Sequence, residues 1–192
     1  MEQVLLSKSP DAWAKHILDH FDDFLRDHAS CERKAAALAM SFVTKYPDRD
    51  AIIEPMVSLA REELEHFHQV FHILRKRGQQ LGRADHKDFY INEILSHLRH
   101  GRDERFLDRL IMSGLVEARG HERFSLLAQH MEAGKMRDFY TQLAEREAGH
   151  YKIFIRLARL YFDADTVKEA VARIQKVESE AMLKAPLNAT LH

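Results

Sequence analysis

Two short stretches of this chain have the residue types and spacing for metal chemistry. Glu63-Leu64-Glu65-His66 and Glu147-Ala148-Gly149-His150 each place a carboxylate and an imidazole three residues apart. On a helix that spacing sets both side chains on one face, where they can share a cation. A single Glu-x-x-His is weak evidence, because a chain this rich in Glu and His should contain about one by chance. A third match, Glu65 to His68, makes the point. The residues one turn away separate the three, since a ligand inside a helical bundle must lie on the buried face. Glu63 has Met56, Leu59, Ala60, Phe67 and Val70 around it, and Glu147 has Tyr140, Leu143, Ala144, Tyr151 and Phe154. Glu65 has Ser58, Arg61, Glu62, Gln69 and His72, a solvated face, so that pair is set aside.

Two more carboxylates extend the set. Glu32 lies among Leu25, Ala29, Ala35, Ala36 and Ala39, and Glu117 among Leu110, Gly114, Gly120 and Phe124. If Glu32 faces the Glu63/His66 pair across an antiparallel helical hairpin, the turn must fall midway, at Asp48, and Tyr46-Pro47-Asp48-Arg49-Asp50 is a break in the helical pattern. For Glu117 with Glu147/His150 the midpoint is Ala133, and Ala133-Gly134 is a turn signal. Glu122 competes with Glu117, but its midpoint falls inside the following helix pattern and its neighbours Arg119 and Gln129 are polar. The preferred metal ligands are therefore Glu32, Glu63, His66, Glu117, Glu147 and His150, with Glu122 as the alternative to Glu117. Glu117 and His150 repeat Glu32 and His66 at an offset of about 85 residues, a weak internal repeat of two halves.

Four carboxylates and two imidazoles meeting in a four-helix bundle are the pattern of di-iron and di-manganese carboxylate proteins. Four buried acids without counter-ions are strongly unfavourable, whereas two divalent cations bring them near neutrality. The competing reading is a metal-free hydrogen-bonded Glu–His network. Carboxylate and imidazole donors suit iron, then manganese, and leave positions open for dioxygen.

The elements that must position these residues are helices. Seven Gly and four Pro in 192 residues leave little room for a turn-rich β fold, and 45% hydrophobic content supports one domain with a substantial core. Ser9-Pro10-Asp11 opens an N-terminal helix with Trp13, Ile17 and Phe21 on its apolar face. The first bundle helix runs over about 22–46 and the second over 49–77, closed by Gly78 behind Arg75-Lys76-Arg77. A crossover over 79–102 carries one short helix, the third bundle helix covers 103–131, and the fourth 135–162. Asp163-Ala164-Asp165 caps a C-terminal helix over 166–183, and a loose tail follows from Pro186. The expected fold is all-α: a ferritin-like four-helix bundle of two antiparallel hairpins joined by a long crossover, core 22–162, in a single domain over 1–192.

One cysteine, Cys31, excludes an internal disulfide framework and fits a reducing compartment. No apolar run reaches membrane-spanning length, and Met1-Glu2-Gln3-Val4 is not a signal-peptide start. These features read as a soluble cytoplasmic protein. A formal net charge of -1 provides no global attraction to nucleic acid, so any such binding needs a local patch.

The runs His28-Ala29-Ser30-Cys31-Glu32-Arg33-Lys34-Ala35-Ala36, Tyr46-Pro47-Asp48, Arg61-Glu62-Glu63-Leu64-Glu65-His66-Phe67, Val116-Glu117-Ala118-Arg119 and Glu122-Arg123-Phe124 resemble the tRNA-(2-methylthio-N6-isopentenyladenosine) hydroxylase family, MiaE. The likeness covers nearly the whole chain. It implies a monooxygenase with two Fe ions that uses dioxygen and an external electron donor to hydroxylate the isopentenyl group of a hypermodified adenosine beside the tRNA anticodon. It places the iron ligands at Glu32, Glu63, His66, Glu117, Glu147 and His150. Its implied partners are that tRNA and an electron-transfer protein, with no membrane.

The candidate RNA surface is basic: Arg75, Lys76, Arg77, Arg83, His86, Lys87, Arg99, His100 and Arg102. A solvated helix end balanced by nearby acids is the plainer reading, and Phe89 and Tyr90, which could stack a base, are more often core. Iron storage of the ferritin kind shares the six-ligand pattern and is the alternative function. One cysteine excludes the four-Cys iron site of a rubrerythrin.

Overall fold

The computed structural model describes residues 4–82 and 88–192, and all regular structure among them is helical. The chain divides into two compact units, one of His16–His86 with Asn188–Leu191, the other of Met1–Lys15, Lys87–Leu187 and His192.

The first unit is a hairpin of α2 (Phe21–Lys45) and α3 (Ile53–Lys76). α2 buries Leu25, Ala29, Glu32, Ala36, Ala39 and Phe42 along one stripe, and α3 buries Met56, Leu59, Ala60, Glu63, His66, Val70 and Leu74. The alanines among them, Ala29, Ala36, Ala39 and Ala60, let the two helices approach closely. The break falls at Tyr46-Pro47 as expected, but the second helix opens later than Arg49. A 3-10 turn over Asp50–Ile52 comes first, and Pro55 then lies in the first turn of α3, where its missing N–H costs nothing. At the far end Gly78 adopts φ 72°, the Gln79 N–H donates to the Leu74 carbonyl at 3.0 Å, and the Gly78 N–H to Arg75 at 3.0 Å. That Schellman closure returns the chain toward the start of α2. Arg77 pairs with Asp22 and lies 5.4 Å over the Phe21 ring, and Arg26 donates to Gln79 at 2.6 Å.

The second unit is built on α5 (Arg102–His130), which is buried around its whole circumference from Phe106 to Leu115. It packs against α6 (Lys135–Glu147), α7 (His150–Tyr161) and α8 (Ala164–Lys184). A Cβ on Gly114 would stand 3.2 Å from both Phe154 Cβ and Tyr151 Cδ2, so this glycine sets the α5–α7 distance. Before α5 comes the short crossover helix α4 (Phe89–Ser96), capped by Asp88, which accepts from the Ile91 N–H at 2.9 Å. Asp163 caps α8, accepting from the Thr166 N–H at 2.8 Å and its hydroxyl at 2.7 Å; those bonds hold its carboxyl below the usual range. α1 (Asp11–Asp19) begins at Ser9-Pro10 as expected.

Two further expectations change. The fourth bundle helix is not continuous over 135–162: it breaks at Ala148–Gly149, where the Gly149 N–H bonds Arg146 and the Lys152 N–H bonds Gly149, three residues back instead of four. This tightening lies between the two members of a Glu-x-x-His pair. The tail after Pro186 is also docked. In the first unit Leu191 is buried and its N–H donates to Asp27 Oδ2 at 2.7 Å; in the second His192 stacks on Tyr90 at 5.3 Å.

Candidate metal centre

Each hairpin gathers its own donor triad. In the first, α2 contributes Glu32 while α3 contributes Glu63 and His66, and all three are buried. His66 Nδ1 lies 3.2 Å from Glu63 Oε2 and 4.0 Å from Glu32 Oε2, and one donor atom of each residue falls within 4.8 Å of the others. In the second, α5 contributes Glu117 and the α6–α7 break is flanked by Glu147 and His150. His150 Nδ1 lies 2.7 Å from Glu147 Oε2 and 3.6 Å from Glu117 Oε2, again within the same 4.8 Å spread. Glu147 and His150 are buried, whereas the Glu117 side chain is 12% exposed.

The donor chemistry fits a cation. Each triad sets two carboxylates against one imidazole, with a second ring, His28, beside Glu32 in the first only, so four acids face three rings and protonation of all three would still leave a charge unbalanced. Burying the remaining charge is expensive, whereas one divalent ion per triad neutralises both acids. Oxygen and imidazole nitrogen donors suit iron or manganese. The pair set aside on sequence grounds, Glu65 and His68, is exposed.

Glu122, the competing carboxylate, is occupied by other partners. It accepts from the Ser9 N–H at 2.7 Å, the Ser9 hydroxyl at 2.8 Å and Arg119 Nη1 at 3.1 Å. Arg119 also donates to Glu178 at 2.8 Å, Tyr90 donates to the same carboxylate at 2.9 Å, and Arg119, Glu178 and Tyr90 are fully enclosed. Burial, with the Glu178 charge beside it, pushes the Tyr90 hydroxyl well above its ordinary range, and burial lowers Arg123 to about 10. Two arginines and two glutamates thus balance one another, and the network ties the N-terminal segment, α4 and α8 to α5. Tyr90 is core rather than a stacking platform.

The residue that sequence reasoning missed is His28. Its Nε2 lies 2.6 Å from Glu32 Oε1, and both groups are buried. The signal is present in the sequence: His28 precedes Glu32 by one helical turn on the same face. A ring held against one oxygen of a carboxylate fixes its orientation.

Of the basic residues expected to face RNA, Arg83, His86 and Lys87 lie outside the described residues. Arg77 is paired with Asp22, and Arg99 is bound to Asp108 through its backbone N–H at 2.9 Å and Nη2 at 2.8 Å. Arg75–Arg77 and Arg99–Arg102 belong to different units.

All-helical hairpins carrying a lone Glu and a Glu-x-x-His pair define the class of ferritin-like proteins with metal-binding carboxylates and histidines. Comparison with a solved structure agrees: the protein with aldehyde deformylating oxygenase activity from Synechococcus matches with a TM-score of 0.92 and 32% identity, over 99% of this chain and 96% of that one. The family model described as tRNA-(MS2IO6A)-hydroxylase (MiaE) matches residues 1–192, and the chain belongs to that family. Similar relatives are the tRNA 2-(methylsulfanyl)-N(6)-isopentenyladenosine(37) hydroxylases of Pseudomonas putida, 33% identical over 93% of this chain and 85% of the relative, and of Salmonella typhimurium, 26% identical over 91% and 82%. No helix among the described residues is long and apolar enough to cross a membrane.

Proposed function

We propose that this protein is a di-iron monooxygenase that hydroxylates the isopentenyl side chain of 2-methylthio-N6-isopentenyladenosine in tRNA. The observation that carries the reading is the repeated triad, Glu32/Glu63/His66 and Glu117/Glu147/His150, in a chain matched by the MiaE family model from end to end. In this reading the six residues hold two Fe ions within one ferritin-like domain. When bound and reduced, such a pair activates dioxygen for insertion into a carbon–hydrogen bond. The protein's own part is to fix the carboxylates and imidazoles, to orient Glu32 through His28, and to keep water from the reacting side chain. Electrons come from an external carrier, and the work is done where tRNA is found, in the cytoplasm.

Iron storage is not favoured, because the curated relatives are hydroxylases. A second oxygenase reaction has one observation behind it, the Synechococcus protein of the same fold and similar identity, which is described as acting on aldehydes. One experiment separates the two. Iron-loaded protein, reductant and dioxygen are incubated with tRNA carrying the prenylated adenosine, and in parallel with a long-chain aldehyde. Digested tRNA showing the nucleoside heavier by one oxygen supports the proposal. Unmodified nucleoside with conversion of the aldehyde would sink it.

A further inference from the structure

We propose that the exposed face of α7 is a binding surface for the phosphate backbone of the tRNA substrate, with Lys152, Arg156 and Arg159 as its contacts. The proposal rests on the reading that tRNA is the substrate, and it names a surface that the sequence alone did not single out.

The argument begins with composition. α7 reads HYKIFIRLARLY: three full cations and no Asp or Glu in 12 residues, within a chain whose net charge is -1. The three cations are exposed, and they stand four and then three residues apart. At 3.6 residues per turn they fall within an arc of about 60° and extend about 10 Å along the helix. The opposite face is apolar and packed, with Phe154, Leu157 and Ala158 buried and Gly114 of α5 pressed against Phe154 and Tyr151. The basic ridge is thus held by a rigid core and not by a mobile loop.

The second observation concerns partners. Several cations elsewhere in the second unit are engaged: Arg119 with Glu178, Arg99 and Arg173 with Asp108, Lys184 with Glu93 and Glu180. Lys152, Arg156 and Arg159 form no ion pair with a described residue. Exposed Arg146, two residues before the break, adds a fourth cation of the same kind. Unpaired like charges on consecutive turns repel one another, so the row is relieved by an anion, and a row of phosphates is the polyanion that this protein's substrate provides.

The third observation is position. α7 begins at His150, a member of the second triad. A nucleoside delivered to the triad brings its flanking phosphates with it, and the ridge runs away from that point along the same helix. An acidic electron-transfer protein would also suit a basic ridge. The tRNA is preferred because its phosphates must come near the reacting base, whereas an electron donor can act from a greater distance.

The test measures binding apart from chemistry. Iron-loaded wild-type protein and the triple variants K152E/R156E/R159E and K152Q/R156Q/R159Q are titrated with tRNA carrying the prenylated adenosine and with an unmodified transcript, across a salt series. Helix content by circular dichroism and iron content confirm that each variant is folded and loaded. The expected result is a loss of about tenfold or more in affinity for both RNAs, with a log K against log salt slope shallower by about 2, from roughly 0.7 per released phosphate contact. Unaltered affinity and slope in both variants would overturn the proposal. That same result with slower reduction by an acidic electron-transfer protein, but not by dithionite, would assign the ridge to the donor. The two readings fail separately: a wild type that oxidises no tRNA nucleoside could still show the slope change, and an active wild type could lack it.

Discussion

The two hairpins solve one problem with different degrees of rigidity. In α2–α3, Glu63 and His66 sit in an unbroken helix, all three donors are buried, and His28 holds one oxygen of Glu32. In the α5–α6/α7 hairpin, Glu147 and His150 flank a break at Ala148–Gly149, and the lone carboxylate, Glu117, keeps 12% of its side-chain surface. The Nδ1-to-carboxylate distances also differ, 3.2 Å at Glu63 and 2.7 Å at Glu147. One triad is preset by packing. The other combines a tightened helical turn with a partly wetted acid, features of a less rigidly held donor set.

The largest effect expected from this contrast is loss of metal. His66→Ala and His150→Ala should each lose at least one iron equivalent with helix content unchanged, measured by colorimetric iron assay and circular dichroism. Glu117→Gln should do the same, while Glu122→Gln should keep its iron and lose thermal stability through its bonds to Ser9 and Arg119. Iron lost from Glu122→Gln but retained in Glu117→Gln would reverse the assignment of the two acids.

An intermediate effect isolates the preset triad. His28→Ala should weaken iron affinity by about 10- to 100-fold, as removal of groups behind a ligand commonly does, with stoichiometry regained at high ferrous concentration. Affinity equal to the wild type would mean that packing alone orients Glu32, and the contrast between the hairpins would narrow to the helix break.

The smallest effects are on stability and differ in origin. Gly114→Val should cost about 1–3 kcal/mol by pushing α5 from α7, because the Cβ position already lies 3.2 Å from Phe154 and Tyr151. Gly78→Ala should cost about 1–2 kcal/mol from its φ of 72° alone, since nothing lies within 4 Å of the added methyl. Thermal melts of both variants test the pair, and equal tolerance of valine at Gly114 would mean that α7 moves freely on α5.

The hairpin turns, the two Glu-x-x-His pairs and the lone carboxylates were legible along the chain. Burial and helical phase act over three or four residues, so neighbours such as Met56, Ala60 and Phe67 reveal which face Glu63 occupies. His28 was within reach of the same logic. The interruption at Ala148–Gly149 was not: the same Ala-Gly pair ends the hairpin at Ala133–Gly134, where Gly134 takes φ 154°, whereas here both residues keep near-helical backbone angles, a difference the residue types do not carry.

Which carboxylate of α5 joins the triad was decided by contacts that no local pattern encodes. Glu122 is claimed by Ser9 from 113 residues away and by Arg119, which in turn is claimed by Glu178, 59 residues on. The same holds for the cations: the sequence offers nearby acids to balance Arg77 and Arg99 without saying which, and the fold supplies Asp22 and Asp108. Local sequence determines the face and type of each helix because those forces are short-ranged. Only the folded chain decides which charges cancel, because that depends on pairs brought together from distant segments.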